Sequence, residues 1–218
     1  MNNTNKINDY SLYLVISEEC AKGRNILELT QIALDAGVDI VQLREKKKTK
    51  EELVGRGKEL LSLCRKKEKT FIVNDDPYLA KEIGADGVHM GQEDIEKLPL
   101  PQIRKIIGNQ KLIGISTHSF EQFKEANRSS VDYISFGPIF CTPTKNYCIG
   151  TDDIGRVLDT ATKPVFFIGG INLSNVNELL RKRVKNIALI RAILEAKDVQ
   201  KAAAAFKEKL RQAKGGYN

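Results

Sequence analysis

Residues 71–94 read FIVNDDPYLAKEIGADGVHMGQED. Phe71–Asn74 is a short run of apolar, partly β-branched side chains. Asp76 stands before Pro77, the pattern of a helix N-cap followed by proline at the first helical position. Gly87–Met90 is a second short run. The stretch therefore predicts a strand, a helix and a strand. Near-continuous apolar runs, in place of strict alternation, mark parallel strands covered on both faces.

Outward from that unit the same pattern recurs. Further strand-like runs fall at Leu12–Ile16, Asp39–Arg44, Leu112–Ser116, Tyr133–Gly137, Val165–Ile168 and Asn186–Ile190. Between them lie helical patterns. Ile26, Leu29, Ile32, Ala33 and Ala36 repeat at helical spacing, and Gly37 follows as the residue that ends such a helix. Thr49 to Glu52 has the form of a capping box ahead of a helix reaching about Arg65, and Ser119 to Gln122 has the form of another. A last helix is expected from about Val199 to Gln212, with Gly215 to Asn218 as a frayed tail.

Eight β/α units without a linker specify a closed barrel more than an open sheet. The turn after the first strand, Ser17 to Gly23, also lacks the GxGxxG of an open dinucleotide-binding fold. The expected fold is α/β, a single (β/α)8 TIM barrel forming one domain over residues 1–218, with a core from about 12 to 212. The length of 218 residues suits one such barrel.

Composition narrows the function classes. Hydrophobic residues make up 41% and charged residues 29% of the chain, an ordinary soluble balance. No stretch approaches the roughly 18 to 20 apolar residues that span a bilayer, and the N-terminus has no secretory pattern, so a cytoplasmic protein without a membrane partner is expected. The four cysteines, Cys20, Cys64, Cys141 and Cys148, include no Cys-x-x-Cys pair, and the chain has two histidines. Four reduced thiols and no zinc site are expected. The net charge is +7, with basic runs at Lys46–Lys50, Arg65–Lys69 and Arg181–Lys185. No aromatics interleave with them, so they read as solvated helix ends and not as a nucleic-acid surface. The oligomeric state is left open.

The polar residues gather at the C-terminal ends of the expected strands, the face where barrels of this kind build their active sites. Gln42, Arg44 and Lys46 alternate at the end of the second strand. Asn74, Asp75 and Asp76 end the third; His89, Gln92, Glu93 and Asp94 follow the fourth; Ser116, Thr117 and His118 end the fifth. Thr142, Thr144 and Lys145, with Pro143 between the threonines, follow the sixth. Gly169–Gly170 end the seventh and Ile190–Arg191 the eighth. Arg44, Lys46 and Lys145 supply positive charge for an anion. Asp75 and Asp94 would repel each other beside phosphate unless a cation lay between them, and Mg2+ characteristically takes one or two carboxylates plus phosphate oxygens and water. Gly170 and the start of the eighth-strand end match the usual barrel phosphate site of backbone N–H groups. Two anion sites are expected, a diphosphate with Mg2+ and a monophosphate.

These motifs resemble, in order over residues 12 to 200, those of the thiamine-phosphate synthase (thiamine-phosphate pyrophosphorylase) family. Val41–Lys46 is similar to its QLREK. Asn74–Asp76 is similar to its INDR/INDD, Ala85–Asp94 to its ADGVHLGQED, and Gly114–His118 to its GVSTH. Gly137–Phe140 with Thr142–Lys145 is similar to its GPIFxTxTK, and Ile168–Ile171 to its IGGI. The resemblance implies a transferase that joins hydroxymethylpyrimidine diphosphate to thiazole phosphate, releasing pyrophosphate. It implies Mg2+ on Asp75 and Asp94, and the pyrimidine diphosphate on Gln42, Arg44, Lys46, Asn74, Ser116 and Lys145. It puts the thiazole phosphate on Thr142, Thr144, Gly170 and the backbone at Ile190 and Arg191. Arg44, Ser116 and Lys145 are the candidate catalytic groups, and the family mechanism is dissociative. Two segments depart from the family pattern. Arg183–Asn186 replaces an AGADG-like segment, and Ile190–Ile193 replaces VSAI, so that Arg191 stands where a small serine is usual. Two other readings remain: a thiazole tautomerase-like barrel using His118, and a ligand-binding regulator without catalysis.

Overall fold

A computed structural model gives the fold, and it describes residues 7–45, 48–142 and 147–216. Eight parallel strands close into a barrel in sequence order, β1 pairing with both β2 and β8. The strands are β1 (Leu12–Ile16), β2 (Ile40–Leu43), β3 (Thr70–Asn74), β4 (Gly87–Met90), β5 (Leu112–Thr117), β6 (Tyr133–Phe136), β7 (Val165–Ile168) and β8 (Ile187–Leu189). The crossovers carry α1 (Glu18–Ala21) and α2 (Ile26–Asp35), α3 (Lys50–Lys66), α4 (Pro77–Ile83), α5 (Gln92–Lys97) and α6 (Leu100–Ile107). They continue with α7 (Phe120–Arg128), α8 (Ile154–Thr160) and α9 (Val176–Arg181), and after β8 come α10 (Arg191–Leu194) and α11 (Val199–Gly215). Among the described residues no helix is long and apolar enough to cross a membrane.

Local chemistry explains most boundaries. Thr49 and Glu52 form the expected reciprocal capping box, so α3 starts one residue after Thr49. The Asp76 carboxylate accepts from the Leu79 N–H, with Pro77 at the first helical position. Gly37, with φ +105°, terminates α2. The second expected capping box is half formed. Ser119 accepts from the Gln122 N–H, but the Gln122 side chain accepts from the His118 N–H, one residue before the cap. The last helix runs three residues further than its sequence pattern suggests, Ala213 extending the face that packs on the core.

Two apolar clusters divide the core. The larger fills the layer between strands and helices. The smaller lies inside the barrel and is made of Tyr13, Val15, Ile40, Ile72, Leu112, Tyr133, Phe166 and Ala188, with Ile7 joining it. Successive strand residues point to opposite faces. Knowing that Tyr13 and Ile40 face inward therefore places Gln42, Asn74, His89, Gly114, Ser116 and Ser135 on the same inner surface.

The N-terminal ends of the strands share one device. The residue just before an even-numbered strand lends a side-chain oxygen to a backbone N–H at the start of an odd-numbered one. Asp39 accepts from Leu12 N at 2.9 Å, Asp86 from Phe71 N at 3.0 Å, Asp132 from Ile113 N at 2.8 Å and Asn186 from Ser11 N at 3.0 Å. Three of the four are carboxylates. Asp39 also binds Lys69 and Lys207, and Asp132 binds Arg104 at 2.6 Å. A charge-assisted hydrogen bond of this kind contributes roughly 1.5–3 kcal/mol. Replacing Asp132 with Ala strands a strand-edge N–H and the Arg104 guanidinium together. Urea denaturation of Asp132→Ala is expected to show a loss of about 2–3 kcal/mol at unchanged m-value. A loss below about 0.5 kcal/mol, the range of ordinary surface substitutions, would remove this device from the account of the fold.

Candidate active site

At the C-terminal face the acidic pair assembles first. Asn74 ends β3, and its side-chain amide donates to the Asp75 carboxylate. Asp75 adopts a left-handed backbone, φ +61°, while its N–H donates to His89 O at 2.8 Å. A non-glycine residue in that region is strained, and such strain clusters at functional sites. The turn sets the Asp75 carboxyl beside Asp94, in the first turn of α5 on the neighbouring strand end, and the two carboxyl groups are hydrogen-bonded to one another. Gly91 makes the approach feasible, since a Cβ there would sit 2.7 Å from an Asp94 carboxylate oxygen.

Burial and then the neighbouring Asp94 charge push the Asp75 carboxyl up to about 6, against the opposing pull of Arg44. Two carboxyl groups of oxygen donors held this close favour either a shared proton or a hard cation. The residues present therefore fit a magnesium ion. Among the described residues the set is a pair and not a cluster of three or more metal-ligating side chains, which suits an ion completed by substrate oxygens and water.

Below the mouth, inside the barrel, a continuous polar chain joins two residues singled out in the sequence. The Gln42 amide donates to the Tyr13 hydroxyl at 2.8 Å, and the Tyr13 and Tyr133 hydroxyls are 3.1 Å apart. Tyr133 lies 3.1 Å from His89 Nδ1, and His89 Nε2 lies 2.9 Å from the Ser116 hydroxyl, with Ser135 at 3.3 Å. One directional assignment satisfies the main chain. Tyr13 accepts from Gln42 and donates to Tyr133, Tyr133 donates to Nδ1, and Nε2–H donates to Ser116. That leaves the Ser116 hydroxyl proton for an acceptor at the mouth. Burial pushes both tyrosine hydroxyls well above the ordinary phenol range and His89 down to about 3, so every member is neutral. Gly114 makes room for the rings, because a Cβ there would lie 2.1 Å from the Tyr133 ring and 2.5 Å from His89 Nδ1.

The rest of the rim divides as follows. Arg44 follows β2, and its N–H continues the ladder to Ile16 O at 3.0 Å. Of the three residues expected to alternate there, Gln42 lies within β2 and Arg44 just past it. Gly169 and Gly170 both have positive φ, +99° and +63°, and a Cβ on Gly170 would lie 2.6 Å from Phe140 O and 2.8 Å from Cys141 O. Phe140 N donates to Gly169 O at 3.0 Å, so the segment after β6 packs on the glycine turn after β7. Arg191, expected at the end of β8, is instead the first residue of α10, and its Nε pairs with Glu195 at 3.1 Å. The hydrogen bonds of α10 begin at Ile193 N, which leaves the N–H groups of Arg191 and Ala192 outside its ladder. Thr142 is half-buried on the loop after β6. Lys46, Thr144 and Lys145 lie outside the described residues.

Sequence reasoning expected four free thiols, and here the structure corrects it. Cys141 and Cys148 form a disulfide, and only Cys20 and Cys64, both buried, are free. Spacing in the sequence showed no Cys-x-x-Cys, but the loop after β6 turns back and brings positions seven apart to a Cα separation of 4.8 Å. Sequence reasoning also left Tyr13, Tyr133 and Ser135 without a role. Each sits in an apolar strand run, and only the inward register shows the hydroxyls meeting.

A closed parallel barrel with strained, charged and hydrogen-bonded side chains gathered at its C-terminal mouth is the architecture of a barrel enzyme. The thiamine monophosphate synthase family profile matches residues 12–193. The chain is 38% identical over 207 residues to the thiamine-phosphate synthase of Shouchella clausii, covering 94% of this chain and 98% of the relative. It is 38% identical to that of Halalkalibacterium halodurans, covering 94% and 97%. Its fold superposes on thiamine phosphate pyrophosphorylase from Pyrococcus furiosus with a TM-score of 0.86 and 31% identity, over 97% and 99% of the two chains. The chain belongs to the thiamine-phosphate synthase family, transferases of thiamine biosynthesis.

A neutral His89 has a consequence for stability. In the unfolded chain the imidazole titrates near its ordinary value of about 6.5. Between about 6.5 and 3 the unfolded state binds a proton that the native state refuses, so stability falls as pH falls through this window. At pH 5 this one group should remove about 2 kcal/mol relative to pH 7. Denaturant titrations at both pH values should show that increment in the wild type and not in His89→Gln. Equal pH-dependence in the two proteins would mean that His89 titrates alike in the native and unfolded states.

Proposed function

We propose that the chain catalyses the Mg2+-dependent coupling of hydroxymethylpyrimidine diphosphate with thiazole phosphate, giving thiamine phosphate and pyrophosphate. The observation that carries this reading is the hydrogen-bonded Asp75–Asp94 pair facing Arg44 at the mouth of a barrel of this family. Asp75 and Asp94 would hold the ion, which when bound neutralises the pair and the charge of the diphosphate.

The chain's own groups do the rest. Arg44, Lys46 and Lys145 supply positive charge to the diphosphate, and Asn74 holds Asp75 in its strained turn. The Ser116 hydroxyl, made a donor by the His89 N–H behind it, points its proton at a diphosphate oxygen. Gln42, anchored on Tyr13, faces the pyrimidine. Charge accumulates on the departing pyrophosphate as its bond to the pyrimidine methylene carbon breaks. Fixed donors and cations aimed there act where charge develops. The thiazole nitrogen then forms the new bond to that carbon, so no enzyme nucleophile is required. The thiazole phosphate is placed on Thr142, Thr144 and Gly170 with the N–H groups at Ile190 and Arg191. The Arg191 guanidinium is engaged by Glu195, and this supports a role for its backbone in preference to its side chain. On this reading the partners are two small phosphorylated molecules, in the cytoplasm, with no nucleic acid or membrane, and the chain acts as one domain.

The test is pyrophosphate release with both substrates, with and without Mg2+. Asp94→Ala should fold normally and lose at least about 10²-fold in turnover, the scale of one principal electrostatic group. Near-normal turnover of the folded variant, or of the wild type under chelation, would overturn the metal assignment. The same assay separates the tautomerase reading. His118 is held by its Nδ1 on Gly137 O at 2.6 Å, and the coupling asks it for no proton transfer. His118→Asn is therefore expected to cost less than Lys145→Ala, and the reverse order would favour the tautomerase.

A further inference from the structure

The glycine turn after β7 has no side chain to fix its direction. Gly169 and Gly170 adopt positive φ, +99° and +63°, and a residue without a Cβ leaves such a conformation at little steric cost. A larger residue cannot supply the restraint, because a Cβ on Gly169 would lie 2.4 Å from Pro138. The peptide planes are set from outside. Phe140 N donates to Gly169 O at 3.0 Å. Gly170 O accepts from two carboxamides, Asn175 Nδ2 at 3.0 Å and Asn172 Nδ2 at 3.2 Å. Carbonyl and N–H point opposite ways in a trans peptide. Holding those two oxygens therefore aims the N–H groups of Gly170 and Ile171 away from the groups that hold them. Among the described residues neither N–H donates to another protein group.

The two carboxamides are themselves held in one orientation. Asn175 Oδ1 accepts from Asn172 N at 2.8 Å, and Asn172 Oδ1 accepts from Ser174 N at 2.9 Å and from the Ser174 hydroxyl. With each oxygen taken by an N–H, each NH2 group is left for Gly170 O. Asn175 forgoes a local role to do this. It stands at the N-cap of α9, where an Asn side chain ordinarily accepts from the second or third helical N–H. Asn25, Asp76 and Asp198 cap their own helices in that way. The Asn175 side chain makes no such bond and turns back over the glycine pair. A side chain that departs from its local preference marks a place where another demand prevails.

We propose that Asn175, aided by Asn172, is a positioning residue of the phosphate site. Its carboxamide fixes the Gly170–Ile171 peptide, so that the turn after β7 meets phosphate with its N–H groups already aimed. The identity of that phosphate as the thiazole phosphate rests on the function proposed above. Neither asparagine touches the phosphate or the reacting atoms, and each acts through the backbone of Gly170. Donors aimed before the ligand arrives need no reordering when it binds, so loss of the restraint weakens binding. The bond that breaks belongs to the other substrate and is left alone. The expected signature is therefore a rise in KM for the phosphorylated thiazole, without a matching change in kcat or in KM for the diphosphate.

The experiment compares the full-length wild type with Asn175→Ser and Asn172→Ala. Serine is neutral and still able to cap α9, but it lacks the carboxamide. Asn172 is exposed, and its truncation removes one of the two donors to Gly170 O. Inorganic phosphate is titrated into protein labelled with 15N-glycine, and the Gly170 amide signal is followed, which requires no catalysis. That signal should move with phosphate in the wild type. The midpoint should rise by roughly 5- to 10-fold in Asn175→Ser and by about 3-fold in Asn172→Ala. Pyrophosphate release with both substrates should show KM for the thiazole phosphate raised by the same factors, with the pyrimidine diphosphate KM, kcat and the urea midpoint essentially unchanged. Equal phosphate titrations in the wild type and the folded variants would overturn the proposal, as would a Gly170 signal that phosphate leaves unmoved in the wild type. A parallel rise of both KM values with a lowered urea midpoint would reduce the asparagines to a structural role. If Asn175→Ser does not fold, Asn172→Ala decides alone. If no form couples the two substrates while the phosphate titrations still differ, the proposed function fails and the positioning role stands.

Discussion

An eight-stranded barrel is just wide enough for its own side chains, so every polar group that faces inward must find its partner there. Here the constraint falls on Gln42, Tyr13, Tyr133, His89 and Ser116, which meet in one chain of hydrogen bonds. Gly114 is what makes it fit, since the space left by its missing side chain is filled by the rings of Tyr133 and His89. Phe166 packs edge-on against both tyrosines and closes the cluster from the β7 side. A chain satisfied from end to end costs little to bury and holds its members in one arrangement. The mouth inherits that rigidity through Ser116 and Gln42, the two ends of the chain.

Above this floor the site is built against local preference. Asp75 takes a backbone conformation that favours glycine, and it is brought beside Asp94, whose charge adds to the burial that raises the cost of ionising Asp75. Asn74, His89 O and Gly91 hold that arrangement in place. The strain is supported by strand pairing on both sides of β3, which does not depend on the site. An acidic pair of this kind is poised for positive charge, and Arg44 already supplies part of it.

The opposite face does different work. Asp39, Asp86, Asp132 and Asn186 each bind the first N–H groups of a neighbouring strand, and Lys207 of α11 and Arg104 of α6 pair with two of the carboxylates. These acidic residues resemble those of the mouth in sequence, and their settings distinguish them. At the entry of a strand a carboxylate meets donors and is neutralised. At its exit, Asp75 and Asp94 meet each other. Stability and chemistry are thereby assigned to opposite ends of the same strands.

The sequence by itself determined the closed barrel, because eight apolar runs separated by capped helices leave the strands only parallel neighbours. β1, β4 and β7 lie at the expected residues, and the caps at Thr49 and Asp76 form as their side chains require. It also brought Asp75, Asp94, Gln42, Asn74 and Ser116 to one face, since strand ends of a parallel barrel share a side. What tertiary structure alone decided depends on register and on contacts between segments distant in the chain. Tyr13 and Tyr133, 120 positions apart, read as apolar strand residues until the inward register brought their hydroxyls together. Arg191 stood in the sequence only as a residue in place of a small serine, and it is the start of α10 there that gives its side chain Glu195 one turn on. Cys141 and Cys148 carried no recognisable spacing, and they pair because the loop after β6 returns to its own stem. Periodicity reports which way a side chain points along its own element, and the partner it meets there belongs to another part of the chain.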